Sequence, residues 1–323
     1  MIMSQQLAVG IDIGGTNTVF GIVDRRGNII SDGAMSTKKH EEVTSYLAEL
    51  HERLSPLIDR AGGAAQIRGI GVGAPNGNFY TGNIEYAPNL RWKGVVPLAN
   101  MLEELFGLPT VLTNDANAAA IGELTYGAAR GMKDFITITL GTGVGSGIVA
   151  NGQVIYGHDG FAGELGHCIV IPGGRLHPGT GMRGSLESYA SATGVTNTAI
   201  ELLSSRPDDG SLLRAVKLEE INSKVIYEAA MKGDPLALEI YEFTGKVLGE
   251  ALANFVMFSS PEAIILFGGL TKAGDLIMKP VRQHMEQNLL PIFQNKVKLL
   301  FSELKESDAA ILGASALAWE MKD

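Results

Sequence analysis

The sequence predicts a mixed α/β protein built from two related halves, and two observations support that prediction. The first is an internal repeat, because the stretch VGIDIGGTNTVFGIVDRRGNII at residues 9–30 returns in looser form as ITITLGTGVGSGIVANGQVI at residues 136–155. Each copy runs from an apolar strand through a glycine-rich turn into a second strand, a polar turn and a third strand. The second observation is the alternation of strand and helix patterns after each copy, which is typical of parallel sheets covered by helices.

The first half continues with a helix pattern and two strands. Helical periodicity predicts a helix around residues 41–60, and apolar runs predict strands at 70–75 and 110–113. The later strand leads directly into Asn114 and Asp115, which precede an alanine-rich helix. This order predicts parallel strands connected through helices.

The second half repeats that order and supplies the domain boundary. A long apolar helix is predicted over residues 239–257, followed by a buried strand at 263–267. A closing helix over 308–323 is expected to pack back on the first domain. We therefore expect a small N-terminal domain over 1–124, completed by the closing helix, and a large C-terminal domain over 125–307.

Composition and charge narrow the possible partners. With 323 residues, 45% hydrophobic and 19% charged, the chain is long enough for two cores and ordinary for a folded soluble protein. The net charge of −9 argues against general binding to nucleic acid or to an anionic membrane, since both would be repelled. A single cysteine, Cys168, cannot form an internal disulfide. No leader pattern precedes the first strand and no apolar run is long enough to span a bilayer, so the expected location is the cytoplasm.

The duplicated glycine-rich hairpins predict phosphate binding. Glycine exposes backbone N–H groups without a Cβ in the way, so two facing hairpins can hold the phosphates of one nucleotide between two domains. A single glycine-rich turn is more often only a connection between strands, but its duplication favours a shared ligand. Because the protein is itself acidic, such a site must rely on local backbone donors and a divalent cation.

Two familiar phosphate-binding motifs are excluded. Gly245 and Lys246 are followed by Val247 instead of Ser or Thr, inside a helical pattern, so there is no Walker A sequence. The stretch GTGVGS at residues 141–146 misses the third glycine of the dinucleotide fingerprint and is followed by a strand where that fingerprint requires a helix. A nicotinamide dehydrogenase is therefore not expected.

Six ordered motifs carry a resemblance to a known family. They are DIGGTN at 12–17, GAPN at 73–76, PNL at 88–90, NDANAAAIGE at 114–123, LGTGVGSG at 140–147 and ELGH at 164–167. Together they resemble the signatures of the ROK family of sugar kinases and sugar-sensing repressors, above all those of its bacterial glucokinases. The resemblance covers nearly the whole chain. It implies the duplicated actin-like ATPase (ribonuclease H-like) fold, with two domains around a cleft, and ATP-dependent phosphorylation of glucose at the 6-hydroxyl.

The resemblance also implies the catalytic groups. Asp115 is expected to be the general base that accepts the proton of the sugar hydroxyl, and Asn114 is expected to bind a neighbouring hydroxyl. Taken alone, either residue would be interpreted as the N-cap of the following helix. Asp12 is expected to orient Mg²⁺, through water, beside the phosphates, whereas its structural alternative is a turn cap.

Further residues are implied for the two substrates. The residues expected to contact ATP, in addition to Asp12, are Gly14, Gly15, Thr16, Asn17, Gly141, Thr142, Gly143, Gly268 and Gly269. Those expected to contact the sugar are Gly73, Asn89, Asn114, Asp115, Glu164, His167 and Glu187. Several polar side chains are needed because each sugar hydroxyl left unpaired in a water-poor site costs free energy.

One segment departs from the family pattern. Most members carry a C-x-C-x4-C cluster after the GH signature that holds a structural zinc with the histidine, but residues 175–187 contain none of these cysteines. Cys168 lies outside the pattern, and His167 with His177 supplies two ligands where a closed zinc site needs four. Structural zinc is therefore not expected, and Pro178 with local packing is expected to order the loop.

Two alternatives remain open. Within the enzymes, an N-acetylmannosamine or other N-acetylhexosamine kinase uses nearly the same constellation. Outside them, a sugar-responsive repressor uses the same fold as a sensor, but such a protein is expected to carry a helix-turn-helix domain ahead of the first strand and a less acidic surface. The resemblance further implies a homodimer or a dimer of dimers.

Overall fold

The computed structural model describes residues 6–206 and 210–321 of the chain. Over these residues it forms twelve strands: β1 Leu7–Ile13, β2 Asn17–Asp24, β3 Ile29–Ser36, β4 Ile67–Ala74, β5 Ile84–Glu85, β6 Val95–Val96, β7 Thr110–Asn114, β8 Phe135–Leu140, β9 Val144–Ala150, β10 Gln153–Val154, β11 Ala263–Phe267 and β12 Lys298–Phe301. The α-helices in the same part of the chain are α1 Val43–Arg60, α2 Leu98–Phe106, α3 Asp115–Tyr126, α4 Glu187–Ala190, α5 Ala192–Ser205, α6 Ser223–Met231, α7 Pro235–Ser259, α8 Asp275–Gln287 and α9 Glu306–Glu320.

Two five-stranded sheets repeat one topology. The first has the order β3-β2-β1-β4-β7, and the second has the order β10-β9-β8-β11-β12. In the first sheet β2 is antiparallel to β1 and β3, whereas β4 is parallel to β1 and β7. In the second, β11 is likewise parallel to its neighbours β8 and β12. The duplicated α/β fold predicted from the internal repeat is therefore confirmed.

The described chain divides into two compact units. The first contains the residues up to Lys133, Gly147–Gly163 and the residues from Ser302 on, and the second contains Asp134–Ser146 and Glu164–Phe301. The first unit thus contains the segments 125–133, 147–163 and 302–307, which the sequence prediction assigns to the large domain. Residues 1–5, 207–209 and 322–323 of the predicted domains and closing helix lie outside the described residues.

Helix α9 lies across the first sheet at unusually short range. It contacts β1, β4 and α3, and two strand glycines face it. A Cβ on Gly71 would lie 1.9 Å from the carbonyl oxygen of Ala314, and a Cβ on Gly10 would lie 2.2 Å from that of Ile311. These strands carry glycine because the helix backbone occupies the space of a side chain. None of the helices in the described ranges is long and apolar enough to cross a membrane.

We predict that Gly71→Ala lowers the free energy of unfolding by about 3 kcal/mol or more, because a methyl group would be forced against helix backbone that cannot move aside. Gly107→Ala is the matched control: Gly107 ends α2 in the left-handed region, and its added methyl would meet no atom of the described chain within 4 Å. The control should cost about 1 kcal/mol through backbone strain alone. Urea denaturation of both variants measures the difference, and equal costs would contradict the close approach of α9.

Candidate functional site

The parallel strands of the first sheet bring two carboxylates to one edge. Asp12 lies near the end of β1, where it pairs with Gly73 of β4, and Asp115 begins α3 directly after β7. A Cβ on Gly73 would lie 3.2 Å from Oδ1 of Asp12 and 3.6 Å from Cα of Asp115. It would also lie 3.2 Å from Cβ of Ala118. A side chain at this position would therefore crowd both aspartates, and glycine avoids that contact.

Helix α3 begins with a cap that uses both polar residues. Asn114 has an extended backbone, and its Oδ1 accepts a hydrogen bond from the N–H of Ala116 at 2.8 Å. Oδ1 of Asp115 accepts the same N–H, also at 2.8 Å. The capping interpretation of Asn114 is thus correct, and it leaves the amide NH₂ of Asn114 as a hydrogen-bond donor. Asp115 keeps an exposed side chain.

Both carboxyl groups have a raised pKa. Burial, followed by the negative charge of Asp115, raises the pKa of Asp12 to about 7. Burial also raises the pKa of Asp115, against the opposing effect of the hydrogen bond from Ala116. The side chain of Asp115 is therefore in contact with solvent, yet the many protein atoms around it disfavour the charged form of the carboxyl group. An accessible carboxylate whose pKa is raised is a stronger base than an ordinary surface aspartate.

The turn between β1 and β2 lies against the PNL motif. The N–H of Gly14 donates to the carbonyl of Asn17 at 2.9 Å, which closes the turn, and Thr16 and Asn17 are exposed. A Cβ on Gly15 would lie 2.7 Å from the carbonyl oxygen of Asn89. The predicted ATP contacts Gly14–Asn17 and the predicted sugar contact Asn89 are therefore neighbours in the first unit.

The corresponding turn of the second unit is held by a glutamate. Between β8 and β9, the N–H of Gly141 donates to the carbonyl of Gly143 at 3.0 Å. Oε2 of Glu187 accepts the N–H of Val144 at 2.7 Å, and a Cβ on Gly143 would lie only 2.3 Å from that oxygen. The oxygen Oε1 of Glu187 lies 2.8 Å from Nε2 of His177. Glu187 is thus fixed beside the glycine-rich turn.

The ELGH motif forms a short 3-10 turn in the same unit. Nε2 of His167 lies 3.7 Å from Oε2 of Glu164. Its Nδ1 is buried and has no hydrogen-bond partner among the described residues, which is uncommon for a buried ring nitrogen. Gly166 allows the turn to approach β9, because a Cβ there would lie 2.0 Å from the carbonyl oxygen of Val144.

A cavity of about 530 Å³ opens beside the second glycine-rich turn. Its lining includes the predicted residues Gly141, Thr142 and Gly269, the motif residue Leu140, and residues that no motif indicates: Ala192, Ser223, Lys224, Tyr227, Glu228, Tyr241, Leu270, Lys272 and Ala273. Gly268 precedes this wall with φ 107°, and a Cβ there would lie 2.7 Å from the carbonyl oxygen of Leu140. The volume and the aromatic lining suit a flat heterocycle.

The arrangement around His167 does not fit a zinc ion. No group of three or more histidine, cysteine or acidic side chains is placed to hold a metal in the ranges 6–206 and 210–321. The ring of His177 is 6.4 Å from that of His167 between centroids, and its Nε2 is engaged by Glu187. Cys168 is exposed. These donors are too few and too dispersed for tetrahedral coordination.

Comparison with known proteins identifies the relatives of this chain. The sequence matches the ROK family over residues 8–321. It is 36% identical over 326 residues to a glucokinase from Halalkalibacterium halodurans, covering 99% of this chain and 97% of the relative. A crystal structure of a ROK family glucokinase from Streptomyces griseus, in complex with glucose and AMPPNP, superposes with a TM-score of 0.80 at 32% identity, over 98% of this chain and 100% of that one. A ROK hexokinase from Thermus thermophilus superposes with a TM-score of 0.79 at 28% identity, covering 97% and 98%.

The raised pKa of Asp12 predicts a pH-dependent stability. Its folded pKa of about 7 exceeds the unfolded value of 3.8, so the protonated carboxyl stabilises the protein fully below the unfolded value and that contribution is lost as pH rises through 7. Asp12→Asn cannot ionise. As the pH rises from 4 to 8, the free energy of unfolding of this variant should increase relative to that of wild type by up to about 4 kcal/mol.

Urea denaturation at the two pH values measures this gain. Asp59→Asn, on the exposed face of α1, is the control and should keep a constant offset from wild type. A constant offset for Asp12→Asn as well would contradict the burial of this carboxyl.

Proposed function

The chain belongs to the ROK family, and on that premise we propose that it is an ATP-dependent hexose kinase that phosphorylates glucose at the 6-hydroxyl. The observation that carries the proposal is Asp115, an accessible carboxylate of raised pKa at the end of a parallel strand. The choice of substrates is supported by the relatives described as glucokinases. It is also supported by the solved structure of a glucokinase in complex with glucose and AMPPNP.

Asp115 acts as the general base in the proposed reaction. It accepts the proton of the sugar 6-hydroxyl as the hydroxyl oxygen bonds to the γ-phosphorus of ATP, and the bond from that phosphorus to the bridging oxygen breaks to release ADP. The raised pKa favours this step, because the carboxylate binds a proton more readily than an ordinary aspartate does. Alignment of hydroxyl and phosphate supplies the remaining acceleration.

ATP would be held mainly by backbone groups. In the proposal its adenine occupies the cavity lined by Tyr227 and Tyr241, and residues 14–17 and 141–143 remain the predicted phosphate contacts. Magnesium fits Asp12, since a hard cation prefers carboxylate oxygen. Its positive charge would oppose the burial and the negative charge of Asp115, which together raise the pKa of Asp12. The ion would neutralise phosphate charge, and Asp12 would orient it through water.

The residues proposed to contact the sugar are those that the sequence motifs predict. Asn114 would donate its free NH₂ group to a hydroxyl, and the ring of His167 would bind another. The same proposal includes Gly73, Asn89, Glu164 and Glu187. A homodimeric or dimer-of-dimers assembly remains a prediction.

A panel of sugars tests the proposal. We expect the purified protein to transfer phosphate from ATP with Mg²⁺ to glucose with the highest kcat/KM, in a coupled assay that also contains mannose, N-acetylglucosamine and N-acetylmannosamine. Preference for an N-acetylated sugar would establish the alternative kinase. Saturable sugar binding with no transfer to any member of the panel would instead support the sensor role.

The variant Asp115→Asn should lower kcat by about 10²–10⁴, because the amide cannot accept the proton, while glucose binding measured by calorimetry stays within about threefold. Asp275→Asn is the matched control, since Asp275 also begins a helix, α8, and is exposed. The control should keep wild-type turnover. Comparable kcat for Asp115→Asn and wild type would remove Asp115 from the mechanism.

A further inference from the structure

The loop that carries the departure from the family pattern is well hydrogen-bonded. It connects His167 to Glu187 and folds back on itself, with the N–H of Val170 donating to the carbonyl of Gly184 and that of His177 to the carbonyl of Met182, each at 2.8 Å. At its base, the N–H of Leu186 donates to the carbonyl of Cys168 at 2.9 Å. The loop therefore has a defined structure although its donors do not fit zinc.

One side chain anchors this loop to the helices behind it. The guanidinium of Arg175 donates through Nε and Nη2 to the two carboxylate oxygens of Glu201, each at 2.7 Å. Nη2 also donates to Oγ1 of Thr198 at 3.0 Å, and Nη1 donates to the carbonyls of Ser188 and Gly194. Every N–H of the guanidinium thus has an acceptor, and the Arg175 side chain is only 10% exposed.

The backbone of Arg175 is fixed as firmly as its side chain. Its N–H donates to the hydroxyl of Tyr189 at 2.6 Å, and its carbonyl accepts from the N–H of Gly184 at 2.9 Å. The guanidinium carbon lies 4.6 Å from the centre of the Tyr189 ring, in a cation–π contact. Gly174 permits this packing, because a Cβ there would lie 2.2 Å from the Tyr189 hydroxyl.

The order imposed at Arg175 reaches Glu187 through His177. Nδ1 of His177 accepts the N–H of Thr180 at 3.2 Å, so the ring proton of the neutral histidine lies on Nε2 and is donated to Oε1 of Glu187 at 2.8 Å. The other oxygen of Glu187 accepts the N–H of Val144 at 2.7 Å. Loss of the loop structure would move His177 away from Glu187, and the carboxylate of Glu187 would lose this hydrogen bond.

We infer that Arg175 is a positioning residue that takes the place of a structural metal: its clamp on Tyr189, Thr198 and Glu201 orders the loop and thereby fixes His177 and Glu187 for the sugar. The part that concerns the sugar rests on the proposed function, whereas the ordering of the loop does not. Lysine cannot substitute, because an ammonium lacks the planar fork that binds several acceptors at once.

The test compares Arg175→Met, Arg175→Lys and the milder Glu201→Gln with wild type. Amide hydrogen exchange over residues 168–186 should accelerate about tenfold or more in both Arg175 variants, because the charge-assisted hydrogen bonds of the guanidinium are lost. In Glu201→Gln the acceleration should be smaller, because the bonds of Arg175 to Thr198, Ser188 and Gly194 remain. The KM for glucose should rise about tenfold. The KM for ATP should rise less, since the cavity at Tyr227 does not involve this loop and only the turn beside Gly143 depends on Glu187.

Arg206→Met and Arg206→Lys are the matched controls, because Arg206 makes a bidentate pair with Glu239 at 2.7 Å in the same unit but is 41% exposed. They should leave exchange in the loop and the KM for glucose unchanged. Unchanged exchange in the Arg175 variants, or faster exchange in wild type after a zinc chelator, would overturn the inference. If no sugar is phosphorylated, the exchange measurement still decides the ordering role of Arg175.

Discussion

The pair of aspartates with raised pKa at the carboxyl edge of the first sheet is the constraint on which the candidate site depends. Parallel pairing of β1, β4 and β7 brings Asp12 and Asp115 to the same edge, and Gly73 occupies the strand between them. The raised pKa of Asp12 means that this arrangement costs stability near neutral pH, at about 1.4 kcal/mol for each pKa unit. The close packing of α9 supports the strands that hold both carboxylates.

Much of the fold follows from local patterns in the sequence. The strand predicted at residues 263–267 has those bounds in the structure, and the helix predicted after Asn114 begins at Asp115. Buried strands and helix caps depend on residues that are close together in the sequence, so the sequence pattern predicts them. The repeated strand order also follows from the duplicated hairpins, because homologous halves pair their strands alike. The assigned contacts of the motif residues with sugar and ATP remain proposals.

The features that sequence analysis missed depend on contacts between distant segments. Nothing near Gly71 indicates that the backbone of α9 would lie against it, and no motif marks Tyr227 as part of a cavity wall. In the loop after His167, the sequence drew attention to Pro178, whereas the structure shows the dense hydrogen bonding of Arg175. An arginine is common on protein surfaces, so only its acceptors, which lie up to 26 residues further along the chain, reveal its role.

Direct titration of the aspartate carboxyl groups is the measurement closest to the central claim. Carbon-13 NMR of the side-chain carboxyls, recorded from pH 3 to pH 9, should give Asp12 a midpoint of about 7 in the wild-type protein. In Asp115→Asn the midpoint of Asp12 should fall, because one source of negative charge is removed, yet stay above the unfolded value of 3.8 because burial persists. Titration of Asp12 and Asp115 at the values of ordinary surface aspartates would contradict the account.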